Sequence, residues 1–198
     1  MANFSDDFDR AELGGDWVLG FGTAHDIVSG ELVPQGAGVN NAMYINAATV
    51  SFSANQRAEI TYGTAHSAIR PAVRMQSNGA CYFARLSPTV GSDADIYEQN
   101  GSGGVAKIFD LPDTTVAAGD RVRIQIVGSL ITVFKNDVEI GSTSDATLTS
   151  GQPGIVGVAD GSAEDFEAGD LAITGLDPAP PFTVGQSGVK VLGIGFGS

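Results

Sequence analysis

The sequence predicts an all-β fold of many short strands, a sandwich or a barrel. Three observations carry that prediction. Short apolar runs with a period of two recur along the chain, and almost nothing reads as a long helix. Gly, Asn, Asp and Pro clusters separate the runs, and 27 of the 198 residues are glycine, which suits many tight turns. Strand signals do not alternate with helix signals, so a parallel α/β sheet is not expected.

The elements follow in order. A first strand is expected over residues 3–8 and a second over 17–22, after the Gly14-Gly15-Asp16 turn. Trp17 opens that second strand and is read as its core anchor rather than as a sugar platform. Strands are then expected over 26–33, 42–50, 56–62, 68–76, 80–87, 95–99 and 105–110. The clearest signal is DRVRIQIVGSLITVFKNDVEIGS, residues 120–142. There Val122, Ile124 and Ile126 alternate with Arg121, Arg123 and Gln125, Gly128-Ser129 makes a turn, and Asn136-Asp137 makes the next. That is a meander with one face buried. Strands over 154–159 and 166–174 complete the set, whose spacing fits a sandwich or barrel.

Composition changes at Leu176. Residues 1–176 are expected to form the sandwich, and 177–198 a separate segment. Asp177-Pro178-Ala179-Pro180-Pro181 cannot continue a central strand and reads as a short stiff linker. Beyond it, Phe182, Val184, Val189, Val191, Leu192, Ile194 and Phe196 lie among glycines. This apolar arm is too short for a core of its own, so it is expected to lie on the domain, pair with another chain, or stay loose.

Charge narrows the partners. The net charge is −13 and the pI about 4.2, so phosphate backbones and anionic lipid surfaces are repelled, and neither nucleic acid nor membrane is expected as a partner. No run approaches the ~20 apolar residues of a membrane span, and the first residues lack the pattern of a signal peptide. Cys81 is the single cysteine, so no internal disulfide forms; it reads as a buried thiol packing as a small hydrophobe rather than as a nucleophile.

The opening SDDFDRAELGGDW resembles the first strand of concanavalin A-like, laminin-G-like jelly-roll domains, with Asp9 where those carry Asn and a shorter spacing. RPAVRMQSNGACYFARLS, IYEQNGSGGVAKIF and AAGDRVRIQIVGSLITVFKNDVEIGS resemble the middle of such domains, and SGQPGIVGV and EDFEAGDLAI their closing strands. The resemblance covers residues 3–176. It implies one flat and one curved antiparallel sheet, with ligands taken on the concave face or by loops at one end. Such domains serve as lectins, glycanase accessories, adhesion modules and virus parts, so it fixes fold more tightly than function.

Four groups of residues bear on chemistry. The stretch SDADIYEQ holds Asp93-x-Asp95-x-x-Glu98, close to the E-x-D-x-x-E pattern of similar sandwich glycanases. In a regular strand Asp93 and Glu98 stand ~16 Å apart on opposite faces, whereas a retaining pair needs carboxylates about 5–5.5 Å apart. No catalytic residue is expected, and the chain is not expected to be an enzyme. Asp6 and Asp7 near the start, with Glu164 and Asp165 near the end, supply hard oxygens where the first and last strands of a jelly roll run close, so calcium is the one ion considered. Arg74, Gln76 and Arg85 fall on two neighbouring expected strands, with Tyr82 and Tyr97 as ring surfaces. They read either as a face for a glycan or a partner's carboxylates, or as pairs for the chain's own excess acid. His25 and His66 lack metal-site spacing.

The functional expectation is a non-catalytic virion structural protein. By resemblance to tailed-bacteriophage proteins it would be a capsid decoration or a head or tail fibre component. It would meet other virion proteins or its own copies through the arm and be assembled in the host cytoplasm. The alternative is a lectin-like carbohydrate-binding module that meets a cell-surface glycan.

Overall fold

The computed structural model describes residues 1–36, 40–64, 68–91, 94–158 and 161–172. The arm residues Phe182 to Phe196, and Asp93 and His66, lie outside them. Strands β1 (Asn3–Asp6), β2 (Trp17–Phe21), β3 (Asp26–Val28), β4 (Glu31–Val33) and β5 (Asn41–Ile45) come first, with a 3-10 turn at Gly14–Asp16. Then come β6 (Gln56–Thr64), β7 (Ile69–Met75), β8 (Cys81–Arg85), β9 (Ala94–Gln99) and β10 (Val105–Leu111). The meander is β11 (Arg121–Val127), β12 (Leu130–Lys135) and β13 (Val138–Ser144), and β14 (Gln152–Gly157) and β15 (Ser162–Asp170) close the domain.

Two antiparallel sheets form the sandwich. One has eight strands in the order β13-β12-β11-β6-β15-β4-β3, with β1 also on β15; the other has seven, β10-β9-β8-β7-β14-β5-β2. The first and last strands therefore meet, with Asp6 opposite Phe166. The expected strand over 26–33 is a hairpin instead, because Ser29 and Gly30 both take positive φ (57° and 81°) and turn the chain back.

Alternation sorts each strand between two surfaces. Val122, Ile124 and Ile126 of β11, Ile131 and Val133 of β12, and Tyr82, Ala84 and Ile96 of β8 and β9 meet in the core between the sheets. Trp17 anchors one end, 6% exposed, 5.0 Å from the Phe166 ring and 6.0 Å from Phe8. A second, smaller apolar cluster of Ala42, Ala72, Met75, Cys81, Phe83 and Val156 covers the outer face of the seven-stranded sheet. Cys81 is fully buried there, and burial pushes its thiol up, out of reach of ionisation near neutrality.

The parity of β7 changes partway along. Its register with β14 shifts between Gln152 and Gly154, and Arg74 takes a φ of 52°. Ala72 and Met75 both face outward, so Arg74 turns toward the gap between the sheets. Gly151, at φ 139°, packs against it so closely that an added Cβ would sit 2.4 Å from the Arg74 carbonyl carbon.

Candidate functional site

The outer face of the seven-stranded sheet gathers Phe83 and Arg85 of β8, Asp95 and Tyr97 of β9, and Lys107 of β10. Cys81, Phe83 and Arg85 alternate outward on β8, opposite Gln99, Tyr97 and Asp95 of β9. Lys107 of β10 stands beside Tyr97. Four side chains stack in sequence. Arg70 lies 5.2 Å over the Phe83 ring, Phe83 and Tyr97 stack at 5.3 Å and 14°, and Arg85 lies 4.9 Å over Tyr97. Each contact is of cation–π or offset-ring type, and the stack makes a continuous layer.

Asp95 is the hub. Its side chain is fully buried, and Oδ2 accepts from Arg85 Nη2 at 2.6 Å and from the Tyr97 hydroxyl at 3.1 Å. Its Oδ1 has an ion-pair contact with Lys107 Nζ at 3.5 Å and accepts no hydrogen bond from the other described residues. Lys107 also donates to Asp110. That bond to Asp110 is the largest cause holding the ammonium above its usual range, with Asp95 adding to it. Burial raises the Tyr97 phenol, and Asp95 nearby raises it further. Gln99 is fully buried beside them; its Nε2 donates to the Gly79 carbonyl at 3.2 Å, while Oε1 accepts nothing. The margin reachable from solvent is formed by Tyr97, Arg85 and Lys107, the last two side chains being 27% and 40% exposed.

The structure brings Arg85 and Tyr97 together and separates the other expected ligand residues from them. Arg74 does not share a face with Arg85. It is 3% exposed and donates to the carbonyls of Ala54 (3.0 Å), Leu148 (2.7 Å) and Gly128 (2.5 Å), because the irregular register of β7 turns it inward. Tyr82 is fully buried between the sheets, since its neighbours Cys81 and Phe83 take the outer face. Its hydroxyl donates to Asp145 and accepts from Leu148 N–H at 2.8 Å. Gln76 lies at the end of the sheet and donates to the Ser150 carbonyl.

The acidic triplet divides as strand parity requires: Asp95 faces outward, and Glu98, opposite Tyr82, faces inward. At the start of the chain, Asp6 is not available as a calcium ligand. Both its oxygens accept from Arg10 at 2.5 Å, and it also accepts from Trp17 Nε1 at 2.7 Å and Phe8 N–H at 2.9 Å. Burial alone would raise the Asp6 carboxyl, but these bonds outweigh it and hold the group below its usual range. Asp7, Glu164 and Asp165 are exposed, and Asp7 and Asp165 line a cavity of about 380 Å³ with Asp6 and Arg10. Among the described residues no group of three or more His, Cys, Asp or Glu is placed to hold a metal ion.

Sequence reasoning missed Phe83, Lys107 and Gln99. The signal was present in the alternation of ACYFARL, which puts Cys81, Phe83 and Arg85 on one face and Tyr82 on the other.

No protein-family model and no curated protein matches the chain. Solved structures do. The carbohydrate-binding module CBM66 of Bacillus subtilis matches with a TM-score of 0.55 and 16% identity, over 75% of this chain and 90% of that one. The exoplasmic/lumenal domain of VIP36, in a form bound to Ca2+ and Man3GlcNAc, matches at 0.52 and 10%, over 80% and 85%. GH43B of a Bacteroides ovatus xyloglucan locus matches at 0.52 and 16%, over 84% of this chain but 39% of that one. At such identities the likeness defines the class of fold: a jelly-roll β-sandwich like that of concanavalin A.

Proposed function

We propose that the chain is a non-catalytic carbohydrate-binding module whose site is the Tyr97–Arg85–Lys107 margin of the seven-stranded sheet. One observation carries the reading: the buried Asp95 carboxylate, fastened by Arg85 and Tyr97 and in ion-pair range of Lys107, holds these three side chains together at the exposed margin. The exposed edge of the Tyr97 ring, held between Phe83 and Arg85, gives an apolar contact for the sugar, and Arg85 and Lys107 donate to its oxygens. The fold class supports the reading, since CBM66 is named as a carbohydrate-binding module and VIP36 was solved with a bound glycan.

Binding is favoured over hydrolysis. A pair of catalytic carboxylates must flank one bond, and here Asp95 and Glu98 leave their strand on opposite faces. No metal is invoked, because Asp6 is engaged by Arg10 and Trp17. The virion reading rests on a resemblance to tailed-bacteriophage proteins and on the arm, residues 177–198, which lies outside the described residues, and the solved structures lend it no support.

Calorimetric titration of the glycan selected by an array, against the wild type, Tyr97→Ala and Lys107→Ala, tests the site. The loss of the ring-edge contact in one variant and of a charged donor in the other predicts affinity about 10-fold weaker in each. Unchanged affinity in both would place the glycan elsewhere.

A further inference from the structure

The pair Asn-Gly occurs twice in the chain, as Asn78-Gly79 between β7 and β8 and as Asn100-Gly101 between β9 and β10. In such a pair the glycine nitrogen can attack the asparagine side-chain amide, because the glycine has no side chain to stand in the way. Both asparagines are exposed, and the two turns touch: Asn78 Nδ2 lies 2.1 Å from where a Cβ on Gly101 would stand.

Hydrogen bonding separates the two pairs. Gly79 is buried, and its N–H donates to the Gln76 carbonyl at 2.9 Å, so this nitrogen is covered and holds its proton. Gly101 is half-buried, and among the described residues its N–H has no acceptor, so base from solvent reaches it. The electrophile differs as well. Asn78 Oδ1 accepts one bond, from Ala80 N–H at 3.1 Å. Asn100 Oδ1 accepts two, from Ser102 N–H and Gly104 N–H, each at 2.9 Å. Negative charge that develops on Oδ1 as a nitrogen adds to Cγ therefore meets two donors already in place, the arrangement that stabilises an oxyanion.

The rest of the turn is closed without the Gly101 N–H. Asn100 N–H donates to the Gly104 carbonyl at 2.8 Å, and Gly103 N–H to the Asn100 carbonyl at 3.1 Å. Gly103, at φ 77°, backs onto the Phe21 ring, where an added Cβ would lie 2.3 Å from Cε1. Asn78 and Phe21 thus demand glycine at 101 and 103, and the fold keeps the reactive pair.

We propose that Asn100 is a site of self-modification, converted through a cyclic imide to aspartate and isoaspartate, while Asn78 is protected. Base takes the Gly101 N–H proton, the nitrogen bonds to Asn100 Cγ, and the Cγ–Nδ2 bond breaks, releasing ammonia that takes its proton from water. Water then opens the imide. Cleavage of the new N–Cγ bond leaves aspartate, and cleavage of the bond between that nitrogen and the main-chain carbonyl carbon leaves isoaspartate. One water is consumed, one ammonia is released, and nothing is oxidised or reduced. Each event adds one negative charge to a chain already at −13. The isoaspartate form also inserts a methylene into the main chain between the strands that carry Tyr97 and Lys107.

Peptide mapping by mass spectrometry tests this on the full chain, aged in neutral and in mildly alkaline buffer, with the same chain unfolded in urea as the control. In the folded chain, conversion at Asn100 is expected to run about tenfold faster than at Asn78, and faster still in the alkaline buffer. In urea the two rates should converge, because the pairs are identical in sequence. The Asn100 product should be labelled by protein isoaspartyl methyltransferase. On ion exchange the aged wild type should gain an acidic species. Asn100→Asp, which keeps both Oδ acceptors and has no ammonia to lose, should not. Equal conversion of Asn78 and Asn100 in the folded chain would overturn the proposal. So would a folded ratio no larger than that in urea, an Asn100 that reacts only when unfolded, or an Asn100→Asp variant that gains acidic species as fast as the wild type.

Discussion

His25 shows how a single residue sets a pH limit on the fold. It is 2% exposed, and among the described residues neither ring nitrogen has a hydrogen-bond partner. Burial lowers its pKa to about 4. Between that value and the usual 6.5 the unfolded chain takes up a proton that the folded chain refuses, so stability falls as pH falls through this window. The expected loss from pH 7 to pH 4 is about 3 kcal/mol. Asp6 acts with the same sign but lower down: its depressed carboxyl adds stability above the ordinary carboxylate range, lost only as pH falls through its folded value. Urea unfolding at pH 7, 5.5, 4 and about 2.5 separates the two, because His25→Leu should flatten the curve above pH 4 and leave the fall below it in place. An unaltered slope between pH 7 and 5.5 in that variant would exclude His25 as its cause. Nothing near His25 in the sequence announces this, since its burial depends on strands far along the chain.

The elements divide into those that local pattern reveals and those that long-range contact makes. The meander from β11 to β13 is legible residue by residue, because Val122, Ile124 and Ile126 follow a strict period of two and both turns carry their signature residues. β7 is not legible in the same way. Its parity shifts near Arg74, and the partners that explain the shift, Gly128, Leu148 and Gly151, lie 54 to 77 positions further along the sequence. A reading by alternation therefore put Arg74 on the outer face with Arg85. Arg74→Met should cost about 2–4 kcal/mol, since three carbonyls lose their donor. Gly151→Ala should cost about 1–3 kcal/mol by forcing a Cβ against the same backbone. Both are read as a drop in denaturant midpoint at constant slope. A midpoint unchanged in Arg74→Met would mean that the end of the sandwich is held by other bonds.

At the scale of the molecule, the sequence identified an all-β sandwich with its first and last strands adjacent, and the two sheets confirm both. Pairing of sheets and strand order were reachable only through resemblance, because alternation fixes which residues face together but not which strands are neighbours. The site was legible in part. Arg85 and Tyr97 come together on one face, while the central role of Asp95 was hidden by its place in an acidic pattern that suggested catalysis. Among the described residues, both sheets and a 27-residue buried core are built from residues 1–172. Truncation after Ala172 is therefore predicted to leave the thermal unfolding midpoint within a few degrees of the full chain. A large fall would show that residues 173–198 carry part of the core. The central claim is that this sandwich binds carbohydrate through the Tyr97 margin. A glycan array probed with the wild-type chain and with Tyr97→Ala tests it most directly. The account predicts dose-dependent retention on one class of glycan by the wild type, lost in the variant. Retention on no glycan, or equal retention by both proteins, would contradict it.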